Sequence, residues 1–189
     1  MSSKVQICNM ALSRLGANTI TALSDNTTEA KLCTTLYDDL ADRVMMQGSW
    51  TSTIYRVALA QTTNTPAYGY AYEYQLPIDP LCLKVLEVNE SAPGSIDHQI
   101  EQDKLLTDSA SIKIKYIGRL VDTESYGPML AETIEVLLAS YLAFPITGDR
   151  GMAQGLREEY AALIGNNLAI DGQQGSNQVI SATDLIDVR

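Results

Sequence analysis

The single histidine, His98, lies between Asp97 and Gln99 in a segment that reads as part of a hairpin. A two-histidine metal motif is therefore impossible, and any Ser-His-Asp or Cys-His arrangement would have to use His98. No Gly-x-Ser-x-Gly elbow presents a nucleophile, so His98 is expected to be a solvated loop residue. Cys8, Cys33 and Cys82 are odd in number, far apart and without a Cys-x-x-Cys pair. Cys8 and Cys33 fall on apolar helical stripes, which gives them a packing role and fits a reducing compartment. Gly165, Gly172 and Gly175 neither follow a strand nor precede Gly-Lys-Ser/Thr, so no phosphate loop is expected. Carboxylate pairs do occur: Asp38 and Asp42 one helical turn apart, and Glu158 beside Glu159. A glycosidase needs only two carboxylates at the right separation. With 23 acidic residues such pairs arise by chance, and both are expected on wet faces. No catalytic, cofactor-binding or metal-ligating residue is assigned.

The tyrosines are more distinctive. Tyr68, Tyr70, Tyr72 and Tyr74 recur at a period of two, which in an extended chain puts four rings on one face. A stacking platform for single-stranded nucleic acid would need a positive groove, and no basic residue occurs from 57 to 83. The row is expected instead to pack on a helix or on a neighbouring subunit, since ten tyrosines against one Phe and one Trp favour large interfaces. Net charge points the same way: 13 basic minus 23 acidic side chains gives -10. That excludes the usual basic nucleic-acid binder and disfavours a membrane surface. Six acids, Glu87, Glu90, Asp97, Glu101, Asp103 and Asp108, face one base, Lys104, across a single stretch.

These residues need elements to hold them. The 189 residues, 46% of them hydrophobic, suit one domain with a sizeable core. Apolar periodicity predicts helices over about 4–15, 27–47, 128–144 and 152–168. Asn26 and Glu29 form a capping-box variant before the second helix, Pro128 opens the third and Pro145 stops it. Leu156, Tyr160, Leu163 and Ile164 point inward from the fourth, with Glu158 and Glu159 outward. Between the helices, 50–118 reads as an antiparallel sheet of short strands, with 83–88 and 99–101 joined as a hairpin through Pro93 and Gly94. The fold class expected is α+β, mainly an α-helical bundle with an inserted small antiparallel β-sheet and an extended C-terminal arm. The domain is 1–171. The arm, 172–189, is rich in Gly, Gln, Ser and Asn, with only Val179, Ile180, Leu185, Ile186 and Val188 apolar. Such a segment is expected to order against another chain. No signal-peptide pattern is visible, and the apolar run 134–144 is shorter than the ~20 residues of a spanning helix.

Several short signatures carry a family resemblance. Gly48-Ser49-Trp50 precedes Arg56-Val57-Ala58-Leu59-Ala60, then Tyr72-Glu73-Tyr74-Gln75-Leu76-Pro77 with Asp79 and Leu81, then 83–88. Leu12-Ser13-Arg14-Leu15-Gly16 stands near the start, with Ile20 and Leu23 beyond it. Tyr116-Ile117, Arg119, Asp122, Tyr126 and Pro128 precede the Ala- and Leu-rich helix. Over about 5–171 the chain resembles phage head-to-tail adaptor proteins, also called tail tubular protein A. The resemblance implies a non-enzymatic virion protein that forms a ring, commonly dodecameric, docks beneath the portal protein and carries the tail nozzle or other tail proteins. DNA passes through the channel without specific binding, and neither a cofactor nor a membrane is involved. The implied place is the virion neck, with synthesis and assembly in the host cytoplasm. The arm would be the portal-binding segment through Val179, Ile180, Leu185, Ile186 and Val188, by position. Tyr68, Tyr70, Tyr72 and Tyr74 would meet a subunit or the nozzle. The six acids from Glu87 to Asp108 would form a repulsive channel lining, a placement excluded if Lys113, Lys115 and Arg119 line it instead. The alternatives are a head- or tail-completion protein of a long-tailed phage and a tail-associated cell-wall hydrolase.

Overall fold

The computed structural model describes residues 3–89 and 96–173. Helices α1 (Lys4–Arg14) and α2 (Thr28–Gln47) come first, then strands β1 (Ile54–Ala58), β2 (Tyr72–Gln75), β3 (Cys82–Val88), β4 (His98–Glu101), β5 (Lys104–Thr107) and β6 (Lys113–Gly118), then α3 (Pro128–Thr147) and α4 (Arg150–Gly172). α1 is capped by the Ser3 hydroxyl, which accepts from Gln6 N. Thr27, not Asn26, caps α2, its side chain accepting from Ala30 N. α3 runs through Pro145 for most of a further turn. It ends at Gly148, whose φ of 73° lets its N–H return to Phe144 O.

α3 is long and apolar enough to cross a membrane by length and composition, longer than the 134–144 run suggested. Its role here is central: α1, α2 and α4 all pack on it. Leu130, Ile134, Leu138 and Leu142 are fully buried against Cys8, Leu12, Cys33 and Val44. The helix therefore fills this domain's own core.

A mainly helical bundle with one inserted sheet is not what forms. The described residues make a mixed α+β fold with two three-stranded antiparallel sheets, ordered β1-β6-β3 and β2-β5-β4. The physical reason lies in the pairing of β3. Register shifts between Cys82 and Lys84 and between Val85 and Glu87 let it serve two cores at once: Leu83 and Leu86 pack toward the helices, while Val85 and Val88 pack toward the second sheet. β3 accordingly pairs with β6 in the first sheet, and the expected hairpin of β3 with β4 does not form. β4 turns back onto β5 instead, through Gln102 at φ 55°. The outcome is three layers, helices, first sheet and second sheet. Tyr74, Leu105, Ile112, Ile114 and Tyr116 fill the space between the sheets.

Candidate interaction surfaces

The tyrosine row does not remain extended. β2 begins only at Tyr72, because Gly69, at φ 90°, turns the chain before it. Tyr74 is fully buried between the sheets and donates to Ser109 O at 2.8 Å. Tyr72 is half-buried against the same core. Tyr70 and Tyr68 leave that face and become part of a strap, 65–70, over the outside of the second sheet. The Tyr70 hydroxyl donates to Asp97 Oδ1 at 3.2 Å, and Tyr68 is 89% exposed. Beneath the strap lies a cleft of about 350 Å³ whose floor is Glu73, Leu106, Gln99 and Glu101. The four rings thus divide into two that hold the fold and two at the surface.

The six acids separate as well. Glu87 is on the first sheet, where Lys115 Nζ donates to it at 2.7 Å. Asp97, Glu101, Asp103 and Asp108 ring the second sheet, and Glu90 lies outside the described residues. Asp108 Oδ1 accepts from Ala71 N at 2.9 Å, which ties the strap to the end of β5. Of the alternative lining residues, Lys113 and Lys115 share the first sheet with Arg56. Arg119 is elsewhere, its Nε donating to Asp42 Oδ1 at 2.9 Å on α2.

Two carboxyls of the second sheet are held below the usual carboxylate range. Lys104 Nζ and Thr62 Oγ1 donate to Glu73, and the Gln75 amide donates to Asp103. A depressed carboxyl stabilises the fold fully above its unfolded pKa, and that contribution disappears as pH falls through the folded value. Amide protection factors, corrected for the intrinsic exchange rate, should therefore fall in β2, β4 and β5 below about pH 4, while those of α3 hold. Equal protection in the second sheet at pH 3 and pH 6 would contradict these bonds.

The helical layer is joined by charge. Arg14, the last residue of α1, donates through Nε to Glu135 of α3 at 2.6 Å and through Nη1 to Glu159 of α4 at 2.7 Å. Glu135 is 4% exposed. These carboxylates raise the Arg14 pKa further, so the guanidinium stays charged. Lys4 bonds Asp38, and Gln154 bonds Glu158. Neither sequence pair is therefore a free pair of carboxylates. His98 sits in β4 with Nδ1 donating to Ile96 O at 2.9 Å. Cys8 and Cys33 are fully buried, and a hydrogen bond to Cys33, with burial, pushes the Cys8 thiol far up. Among the described residues no group of three His, Cys, Asp or Glu side chains could hold a metal ion.

Sequence reasoning missed the polar residues that fix the end of α4. Asp171, almost fully buried, accepts from Thr51 N at 2.6 Å and Thr51 Oγ1 at 2.7 Å. Asn167, also buried, donates to Glu132 and Thr133 of α3. The signal was available, since 153, 156, 160, 164, 167 and 171 continue one helical face. Through Asp171 the root of the arm is set beside the turn that enters β1; the arm residues Val179, Ile180, Leu185, Ile186 and Val188 lie outside the described residues. Asp171→Ala removes these acceptors and should cost about 2 kcal/mol. Urea unfolding checks this, and an unchanged midpoint would count against the clasp. No protein-family model matches the chain, and no curated protein matches it.

Proposed function

We propose that this chain is a structural virion protein of a tailed phage, forming the head-to-tail adaptor ring between the portal and the tail nozzle. DNA passes through the ring without specific binding. The observation that carries this reading is what the family-like residues do: they join layers rather than surround a reactive cavity. Trp50 is fully buried, with Nε1 donating to Val44 O at 2.9 Å. Gly48 lets α4 close over it, because a Cβ there would lie 2.1 Å from Leu168 Cδ2. Arg14 joins α1, α3 and α4, Arg119 joins the first sheet to α2, and Tyr74 fills the space between the sheets. Rigid coupling of three layers suits a subunit that must transmit contacts between neighbours above and below.

Engagement of Asp38, Asp42, Glu158 and Glu159 by hydrogen-bonding partners supports a structural role over a cell-wall hydrolase. In this reading the protein is assembled in the host cytoplasm and resides in the virion neck. Mixing the purified chain with portal protein from the same particle should give ring-capped portals by electron microscopy. Uncapped portals, together with peptidoglycan hydrolysis that is lost in Asp42→Asn, would replace the adaptor with the enzyme.

A further inference from the structure

The end of the first sheet's helix-side face that the helices leave uncovered and the outer face of the second sheet carry opposite charge. On the first sheet, Arg56 of β1, Lys115 of β6 and Glu87 of β3 align in one cross-strand row, and Ala58 and Lys113 pair two residues further along. These positions face away from the second sheet, because the alternate residues Tyr55, Ile114, Tyr116 and Val85 pack between the sheets. A cleft of about 280 Å³ opens along this row. Lys115 is neutralised by Glu87. Arg56 and Lys113 are exposed and form no ion pair among the described residues, in a chain with ten more acids than bases.

The outer face of the second sheet has the opposite composition. Tyr74 and Leu105 point inward, so the alternate residues Glu73 and Lys104, with the aligned Glu101 of β4, point outward. Lys104 is the one base there, and Glu73 holds it at 2.9 Å. Glu101, Asp97, Asp103 and Asp108 therefore leave a net negative rim, with exposed Tyr68 on the strap beside it.

We infer that these faces bind one another between copies: the Arg56 and Lys113 face of one copy docks on the Glu101 and Asp103 rim of the next. The occupant follows from charge complementarity. Two chains of net charge -10 repel as wholes, yet with a Debye length of about 8 Å at physiological salt only the facing groups decide the contact. Tyr68 offers the incoming guanidinium an open ring face. Each copy gives one face and receives on the other, so the contact is heterologous and propagates. This deepens the adaptor reading and rests on it for ring closure. It also moves Asp97, Glu101, Asp103 and Asp108 from a channel wall to a subunit contact.

The test uses the full chain without portal, by sedimentation velocity in low salt. Wild type should associate, and association should weaken with added salt. Arg56→Glu with Lys113→Glu, and separately Glu101→Lys with Asp103→Lys, should each reduce association by about 100-fold through like-charge contact. Circular dichroism identical to wild type checks that each variant is folded. An equimolar mixture of the two variants should associate again, because each reversed face then meets an opposite one. A monomeric wild type, variants that associate like wild type, or a mixture that stays monomeric would overturn the contact. Normal portal capping by both variants would overturn it while leaving the adaptor reading intact. Charge-swap rescue without any portal capping would do the reverse.

Discussion

Replacing Arg14 by alanine should lower the unfolding free energy by about 3 kcal/mol, because it strands the Glu135 carboxylate inside the helical layer. The value is taken at the lower end for a buried pair, since the Arg14 side chain is 31% exposed while that of Glu135 is 6%. For a chain of this length the change corresponds to a fall in Tm of about 6–12 °C. Charge, rather than lost packing, is the cause, and a second substitution separates the two. Glu135→Gln in the Arg14→Ala background removes the stranded charge and should recover part of the loss. Glu159→Ala should cost less than about 1 kcal/mol, because that carboxylate is 43% exposed. Thermal unfolding followed by circular dichroism reads all three. A Tm for Arg14→Ala within 2 °C of wild type would mean that Glu135 finds another partner, and the three-helix clasp would be wrong.

Legibility in the sequence followed the range of the interactions. The helices were readable because their apolar positions recur within one segment, as Ala30, Cys33, Tyr37, Leu40 and Val44 do along α2. Even there, local rules competed: Asn26 and Thr27 can both cap, and the chain uses Thr27. Pro145 stands in the last turn of α3, where the helix continues past it and Gly148 marks the end. Strand pairing is decided by distant residues. Nothing within 82–88 states that Leu86 must reach the helices while Val85 reaches the second sheet, yet that division gives two sheets instead of one. The tyrosine row misled for a related reason. A period of two holds only while the backbone is extended, and Gly69 ends that condition between Tyr68 and Tyr70. As for the candidate surfaces, spacing revealed the acids, but only folding put Glu87 on the helix side of the first sheet and Glu101 on the outer face of the second.

If the chain is the adaptor proposed above, truncation after Gln173 should abolish docking to the portal and leave the folded domain unchanged. α4 runs to Gly172, and the Asp171 clasp to Thr51 holds its last turn, so removing 174–189 takes nothing from the described core. The effect should be large because the arm carries Val179, Ile180, Leu185, Ile186 and Val188 in an otherwise polar stretch. Burying one such side chain against a partner is worth about 1.5–3 kcal/mol, so loss of only two implies an affinity at least about 100-fold weaker. Val179→Asp with Ile180→Asp in the full-length chain separates apolar contact from mere length: if burial drives docking, this variant should fail nearly as completely as the truncation. Asp171→Ala keeps the whole arm and frees only its root, so its docking should weaken far less than either. Surface plasmon resonance against immobilised portal measures the series, with equal Tm for wild type and truncation as the folding control. Undiminished docking by the truncated chain would remove the arm from the portal contact and shift that role to the helical layer.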